Sequence, residues 1–586
     1  MKALSYLNKY FIKYKWLLLL GILFILGTNF LAIQMPLVVR DAVNEFKLNF
    51  DVDNWLSISL KLALIYMVLS LGKGILLFFT RQTVIKVSRY IEYDLKNEVY
   101  QQYQRLNYNF YRKNSTGDLM NRISEDVSKV RMYLGPGVMY TVNLIFLFVF
   151  ILYAMMSINV KLTLYTLAPL PIMSFLVYKV SSIMNRQSEA AQRQQSKISS
   201  LVQESFSGIA VLKAYGGQRK YRENFDENSD LYLEKKMARV KTNAFFIPTI
   251  TFLIGISTIL TIYLGGLLTF EGTITQGDIV AFVFYVNMLT WPFASVGWVT
   301  SLVQDAAASQ ERINEFLGET PEVKTPTDEP FVFNGKIAFE NVTYKFPNSG
   351  ITAIKNLSFE INAGETLAIL GRTGSGKSSV INLLMRQFDP TEGVIKIDDK
   401  DLKSININDF RKQTGVVPQD VFLFSDTIRN NVTFGLNENM EADDERIKDI
   451  LRTTHVLHNI EEFEKGLDTQ LGERGVNLSG GQKQRLSIAR ALIRDPKFLI
   501  FDDCLSAVDT ETEDIILNNL HKSIISKTTL IVSHRVSSIR YADKIIVLDE
   551  GEKIEEGTHH ELLAKDGVYA SIYKRQLLEE NKSESE

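Results

Sequence analysis

The stretch GRTGSGKSS at residues 371–379 carries the spacing GxxxxGK[ST], met by Gly371, Gly376, Lys377 and Ser378. Apolar ETLAIL precedes it and VINLLM follows, so it reads as strand, glycine-rich turn and helix start. Backbone N–H groups running through Arg372, Thr373, Gly374 and Ser375 to Ser379 would point at one small volume, which suits a polyanion, and side chains at the glycines would block its approach. Lys377 suits the β- and γ-phosphates of a nucleotide, and the Ser378 hydroxyl suits the shell of a Mg2+ ion. A second stretch, KFLIFDD, ends a buried-strand pattern on Asp502. A carboxylate there, beside a phosphate loop, can hold the same Mg2+.

An α/β core is needed to position these groups. From Gly335 onward KIAFENVTYKF alternates like a strand, KIIVLDEGEKIEEG reads as strand, tight turn and strand, and strand and helix patterns alternate between them. The first half differs in kind. Charge-poor runs at 17–39, 57–79, 138–160, 162–178, 245–270 and 279–304 suit membrane spans, which need roughly 20 residues. The run after Lys15 outlasts a signal peptide and reads as a retained helix. Residues 1–15 mix lysines with Tyr, Phe, Leu and Ile, a pattern for an amphipathic helix in the membrane interface. The expected organisation is a transmembrane domain at 1–317, a linker at 318–334, a nucleotide-binding domain at 335–575 and a disordered tail at 576–586.

Loop charge sets the topology. The loop near 41–54 is mostly acidic and the one around Glu271 has no base, whereas 81–131 is rich in Arg and Lys. Both termini are therefore expected in the cytosol, with the chain in the cell (inner) membrane. Connections at 80–137 and 180–244 are too long for loops and polar, so helices continuing out of the membrane are expected. The net charge of −2, without a basic stripe or aromatic platform, argues against a nucleic-acid partner. Cys504 is the only cysteine, which leaves no intramolecular disulfide and no cysteine zinc cluster.

Four more motifs follow the chain in order: VVPQD with Gln419; LSGGQ with Leu478, Ser479, Gly480, Gly481 and Gln482; AVD ending on Asp509; and IVSHR with His534. With the phosphate loop and Asp502 this set resembles the ATP-binding cassette family. The membrane part, with STGDLMNRISEDV and GIAVLKAYGGQ, makes the whole chain look like a half-transporter of the ABC exporter type. The resemblance implies an α-helical membrane domain with long cytosolic helical extensions, then an α/β P-loop domain with a helical subdomain. It also implies a dimer whose cassettes hold two ATP molecules head to tail, the phosphate loop of one facing LSGGQ of the other. Phe346 takes the place of the aromatic ring stacked on adenine, with Tyr344 as its neighbouring alternative. His534 would contact the γ-phosphate and orient the attacking water, Gln419 would touch Mg2+ and that water, and Asp509 would reach across the dimer. Cytosolic contacts are expected at 116–131 and 208–218.

Asp503 departs from the pattern, since most active members carry Glu after the magnesium Asp. Shortening a general base by one carbon–carbon bond, about 1.5 Å, withdraws it from the water, and a 1 Å misplacement can cost on the order of 100-fold in rate. The substitution is common in one chain of heterodimeric exporters, and the intact LSGGQ would complete a partner's site. Intact His534 and Gln419 suit a homodimer, so a heterodimer is favoured but both stay open. The expected function is ATP-driven export or flipping of a hydrophobic or amphipathic substrate, a drug or a lipid, among membrane lipids. The alternative is a membrane-anchored ATPase that regulates or gates a partner without transport.

Overall fold

The computed structural model describes residues 2–48, 55–323, 327–347, 349–436, 442–505, 508, 510–524 and 526–583. They form two compact units, one of Met1–Arg105 and Ser115–Glu319, the other of Leu106–Asn114 and Thr320–Glu586.

In the first unit, helices α1 (Lys15–Phe46), α2 (Leu56–Arg105), α3 (Thr116–Ile158), α4 (Val160–Ser207), α5 (Gln218–Phe270) and α6 (Gln276–Gly318) are each long and apolar enough to cross a membrane. The helical extensions are present: α2 and α5 run for 50 and 53 residues, far beyond the roughly 20 that a bilayer needs. Local chemistry places the breaks. Asn159 leaves α3 in an extended conformation and its side chain accepts the Leu162 N–H at 2.9 Å, which starts α4. Thr275 and Asp278 form a reciprocal capping box at the start of α6. Ile33, Ile151, Met155, Phe282 and Tyr285 are buried together, and the Tyr285 hydroxyl donates to the Ile33 carbonyl at 2.9 Å. That bond satisfies a polar tip that burial would otherwise penalise.

The N-terminal segment has a protein partner in addition to its expected amphipathic character. Leu4, Leu7 and Tyr10 are buried, and the polar end of α2 supplies the acceptors. Glu98 accepts from Lys9 at 2.7 Å, from the Tyr10 hydroxyl at 2.6 Å and from Tyr6, while Asp94 accepts from Lys13 at 2.6 Å and Tyr14 at 2.9 Å.

The second unit holds strands β1 (Ile337–Lys345), β2 (Thr352–Ile361), β3 (Thr366–Gly371), β4 (Glu392–Ile397), β5 (Lys400–Asp401), β6 (Thr414–Val417), β7 (Phe498–Asp502), β8 (Thr528–Ser533), β9 (Lys544–Asp549) and β10 (Glu552–Gly557). An antiparallel sheet has the order β2-β1-β4-β5, and a six-stranded sheet has the order β10-β9-β3-β8-β7-β6, parallel except for β10. Strands β3, β7 and β8 are near-continuous apolar runs because both faces of a parallel sheet are covered. Helices α7 (Lys377–Leu384), α8 (Gly480–Leu492), α9 (Thr510–Ile524) and α10 (Val568–Ser583) carry or support the motifs. A helical subdomain has its own core of Leu423, Ile428, Val432, Ile447, Leu451 and Leu486.

Two expectations of extent differ from the structure. Phe331 and Phe333, inside the expected linker, are buried in the cassette core, with Phe333 against Phe410 and Phe498, because two aromatic rings repay the ordering of that segment. Helix α10 continues to Ser583, into the expected tail, where the Gln576 side chain bonds the backbone at His534 and Val536. Beyond these two segments, an early stretch, Leu106–Asn114, folds with the cassette. Glu322 anchors it by accepting the amides of Asn107 at 3.0 Å and Asn109 at 2.9 Å.

Candidate nucleotide-binding site

Sheet topology assembles the site. Strand β3 lies between β8 and β9, with Leu370 beside Ser533, and β7 pairs with β8 so that Asp502 lies beside Val532. The phosphate loop, Asp502 with Asp503, and His534 therefore leave adjacent strands at the same C-terminal edge, where ligands of α/β sheets bind. The loop needs its glycines for different reasons. Gly376 has φ +101°, and a Cβ there would lie 2.4 Å from the Ala353 carbonyl. Gly374 has φ +87°, lines the cavity, and the place its Cβ would take is open.

A cavity of about 540 Å³ is lined by Phe346, Thr373, Gly374, Gly376, Lys377, Ser378, Ser379, Gln419, Asp502, Asp503 and His534. Its size falls within the roughly 300–1,000 Å³ of small-molecule sites. Gly371, Arg372 and Ser375 do not line it. The carbonyls of Gly371 and Arg372 accept from the Lys377 ammonium at 2.8 and 2.9 Å, and Ser375 is buried beneath the loop. Tyr344 is buried and stacks on Phe388 at 4.6 Å, which leaves Phe346 as the aromatic ring on the cavity wall.

Asp503 stands at the centre of the polar edge. Its Oδ1 is 2.7 Å from His534 Nδ1 and its Oδ2 accepts from the Gln419 amide at 3.4 Å. The residue adopts φ +49°, a left-handed conformation that Asp tolerates better than most side chains. Burial pushes the Asp502 carboxyl up to about 6, with neighbouring Asp503 adding to the shift and the Ser378 hydroxyl and Lys377 opposing it. Burial also lowers Lys377, against the pull of Asp503 and Asp502. Ser378, Gln419 and Asp502 offer only hard oxygen donors, the set that fits Mg2+.

The LSGGQ residues lie off this cavity. Ser479 caps α8 in a reciprocal box: its hydroxyl accepts from the Gln482 N–H at 3.3 Å and the Gln482 side chain accepts from the Ser479 N–H at 2.9 Å. Gln482 thus serves the helix start, Leu478 is buried, and Gly480 and Gly481 form the first turn, whose N–H groups suit an anion. Asp509 lies outside the described residues. Sequence reasoning missed Ile351, Thr352, Ala353, Lys355 and Glu550 on the cavity wall. The β1–β2 pairing, with Tyr344 opposite Ile354 and Lys345 opposite Thr352, is what brings the start of β2 beside Phe346, and no motif announces it.

Residues 18–293 match the family described as ABC transporter transmembrane region, and residues 354–506 match that described as ABC transporter. The chain is 34% identical over 577 residues to the probable multidrug resistance ABC transporter ATP-binding/permease protein YheI of Bacillus subtilis, covering 97% of each. It is 32% identical over 518 residues to the ATP-dependent lipid A-core flippase of Coxiella burnetii, covering 88% of this chain and 87% of that one. Among solved structures, a bacterial Atm1-family ABC exporter with ATP bound aligns with a TM-score of 0.79 at 25% identity, covering 97% of this chain and 99% of the other. A membrane region fused to an ATPase cassette, in this order and over this length, means that the chain belongs to the ABC transporter family as a half-transporter of the exporter type.

Proposed function

We propose that this chain is one half of a dimer that spends ATP to move a hydrophobic or amphipathic molecule, a drug or a lipid, across the cell (inner) membrane. The observation that carries the reading is the convergence of Lys377, Asp502, Asp503, Gln419 and His534 on one cavity while LSGGQ lies off it. A site so divided needs a second cassette to close it. The names of the relatives, multidrug resistance for one and lipid A-core flippase for another, support the substrate class. Loop charge supports a cytosolic cassette with both termini on the same side.

In this reading Phe346 stacks on adenine while Lys377 and the loop residues that line the cavity, Thr373, Gly374, Gly376, Ser378 and Ser379, hold the phosphates. Ser378, Gln419 and Asp502 would hold Mg2+, which would supply charge neutralisation for the phosphates. Asp503 takes the proton of the attacking water, and His534 steadies both Asp503 and the γ-phosphate. Ser479, Gly480 and Gly481 of each chain cover the nucleotide of the other, and Asp509 reaches across the same interface. Closure is linked to the membrane helices through differential affinity of the two states for ligand.

A heterodimer is the favoured assembly, because Asp503 is one methylene shorter than Glu. The homodimer reading has its own support in the contacts that Asp503 keeps with His534 and Gln419. ATP turnover of the chain alone in lipid nanodiscs, beside Lys377→Ala and Asp503→Glu, separates them. Negligible turnover rescued by Asp503→Glu supports a slow half of a heterodimer. Clear turnover that Lys377→Ala abolishes supports a working homodimer, and turnover indifferent to Lys377→Ala would refute the site.

A further inference from the structure

The geometry points to Gln576, in α10, as the residue that positions His534; the inference rests on the role given to His534 above. One planar carboxamide bridges the backbone around the histidine. Its Nε2 donates to the His534 carbonyl at 2.7 Å and its Oε1 accepts from the Val536 N–H at 2.8 Å. These two groups belong to the peptide planes on either side of Arg535, so the pair of bonds fixes how the chain turns as it leaves β8. Such a constraint matters here because the His534 side chain is 47% exposed. Packing alone does not hold the ring at its 2.7 Å contact with Asp503, so the backbone must.

Gln576 is itself held firmly. Tyr569, Tyr573 and Gln576 recur at i, i+4 and i+7 on one face of α10. Tyr569 is buried with Val536 and Ile539, and Tyr573 packs against the same cluster. From the other side Arg535 donates to Glu513 at 2.7 Å, Ser538 also donates to Glu513, and Glu513 is buried. Ser533 Oγ accepts from the Arg535 N–H at 2.9 Å. The segment after β8 is therefore gripped by α9 through Arg535 and Ser538 and by α10 through the His534 carbonyl and the Val536 N–H. The grip of α10 acts on His534 directly, so Gln576 is a positioning residue for the ATPase reaction and touches no nucleotide itself.

The test uses the full chain in nanodiscs, as wild type and with Asp503→Glu. Gln576→Ala is expected to lower kcat about 10-fold, part of what a 1 Å misplacement costs, while KM for ATP stays within about twofold. On a His534→Ala background it is expected to add nothing, because the group it positions is gone. Hydrogen exchange of the Val536 amide, which needs no turnover, is expected to quicken in Gln576→Ala. Wild-type kcat, an equal loss with and without His534, or unchanged exchange at Val536 would each overturn the proposal. Lys377→Ala is the control that separates the two readings: turnover that survives it defeats the site itself, whereas turnover lost with Lys377→Ala but kept with Gln576→Ala defeats only the role of Gln576.

Discussion

The guanidinium of Arg112 lies over the ring of Phe346, 4.8 Å from its centroid. Arg112 belongs to the short helix Tyr108–Lys113, which folds with the cassette although it precedes it by more than 200 residues. Tyr344 and Phe388 make T-shaped contacts with the same ring, at centroid distances of 5.1 and 6.2 Å.

Removing that cation should therefore loosen base binding and leave phosphate binding alone. An exposed cation–π contact is worth about 0.5–1 kcal/mol, so Arg112→Ala is expected to weaken ATP about 2–5-fold. Phe346→Ala should cost more, and Arg112→Ala should add nothing to it. Competition by inorganic tripolyphosphate should not change. Weakened tripolyphosphate binding in Arg112→Ala would move its effect from the base to the phosphates.

Gly376→Ala is expected to abolish ATP binding and to lower Tm. The added methyl must meet the Ala353 carbonyl at 2.4 Å from a backbone at φ +101°. Strain of this kind costs on the order of 1–3 kcal/mol. Gly374→Ala shares the positive φ but has open space for its Cβ. Its Tm should fall less, while the methyl still intrudes on the cavity and weakens ATP. Equal Tm values for the two variants would count against the clash with Ala353.

The attachment of Leu106–Asn114 should depend on pH through Glu322. The Asn109 amide holds the Glu322 carboxyl below the usual carboxylate range, with Asn107 and Lys113 assisting and burial opposing. A carboxyl with a depressed folded value contributes stability above its unfolded value of roughly 4.3 and loses it as pH falls through the folded one. Wild type is expected to melt above Glu322→Gln at pH 7, and the gap should close below about pH 4. A gap that persists at low pH would remove the carboxylate from the anchor.

Much of the site was legible because its groups sit where short-range patterns end. Lys377, Asp502 and His534 each follow an apolar run that becomes a buried strand, so motif and strand end coincide. Six long helices were legible from charge-poor runs alone, and their extensions from the polar sequence that follows. What escaped depends on tertiary partners. Nothing local in Gln576 marks it as the support of His534, 42 residues earlier. Phe331 and Phe333 stand among prolines and acids that read as linker, yet the aromatic core claims them. Gln482 reads as part of an ATP-facing motif, and only its reciprocal bond with Ser479 reveals a helix cap.

The capture of Leu106–Asn114 bears on how the protein is made. Asn107 and Glu322 close a loop of 215 residues, and most of the membrane helices lie inside that loop. Contacts so distant along the chain form late, since the entropy of closure must be met before they reward it. The cassette cannot finish while the ribosome is still delivering the spans, and a cassette expressed by itself would leave Glu322 without Asn107 and Asn109 and Phe346 without Arg112. Assembly of the ATPase thus waits on insertion of the helices it drives.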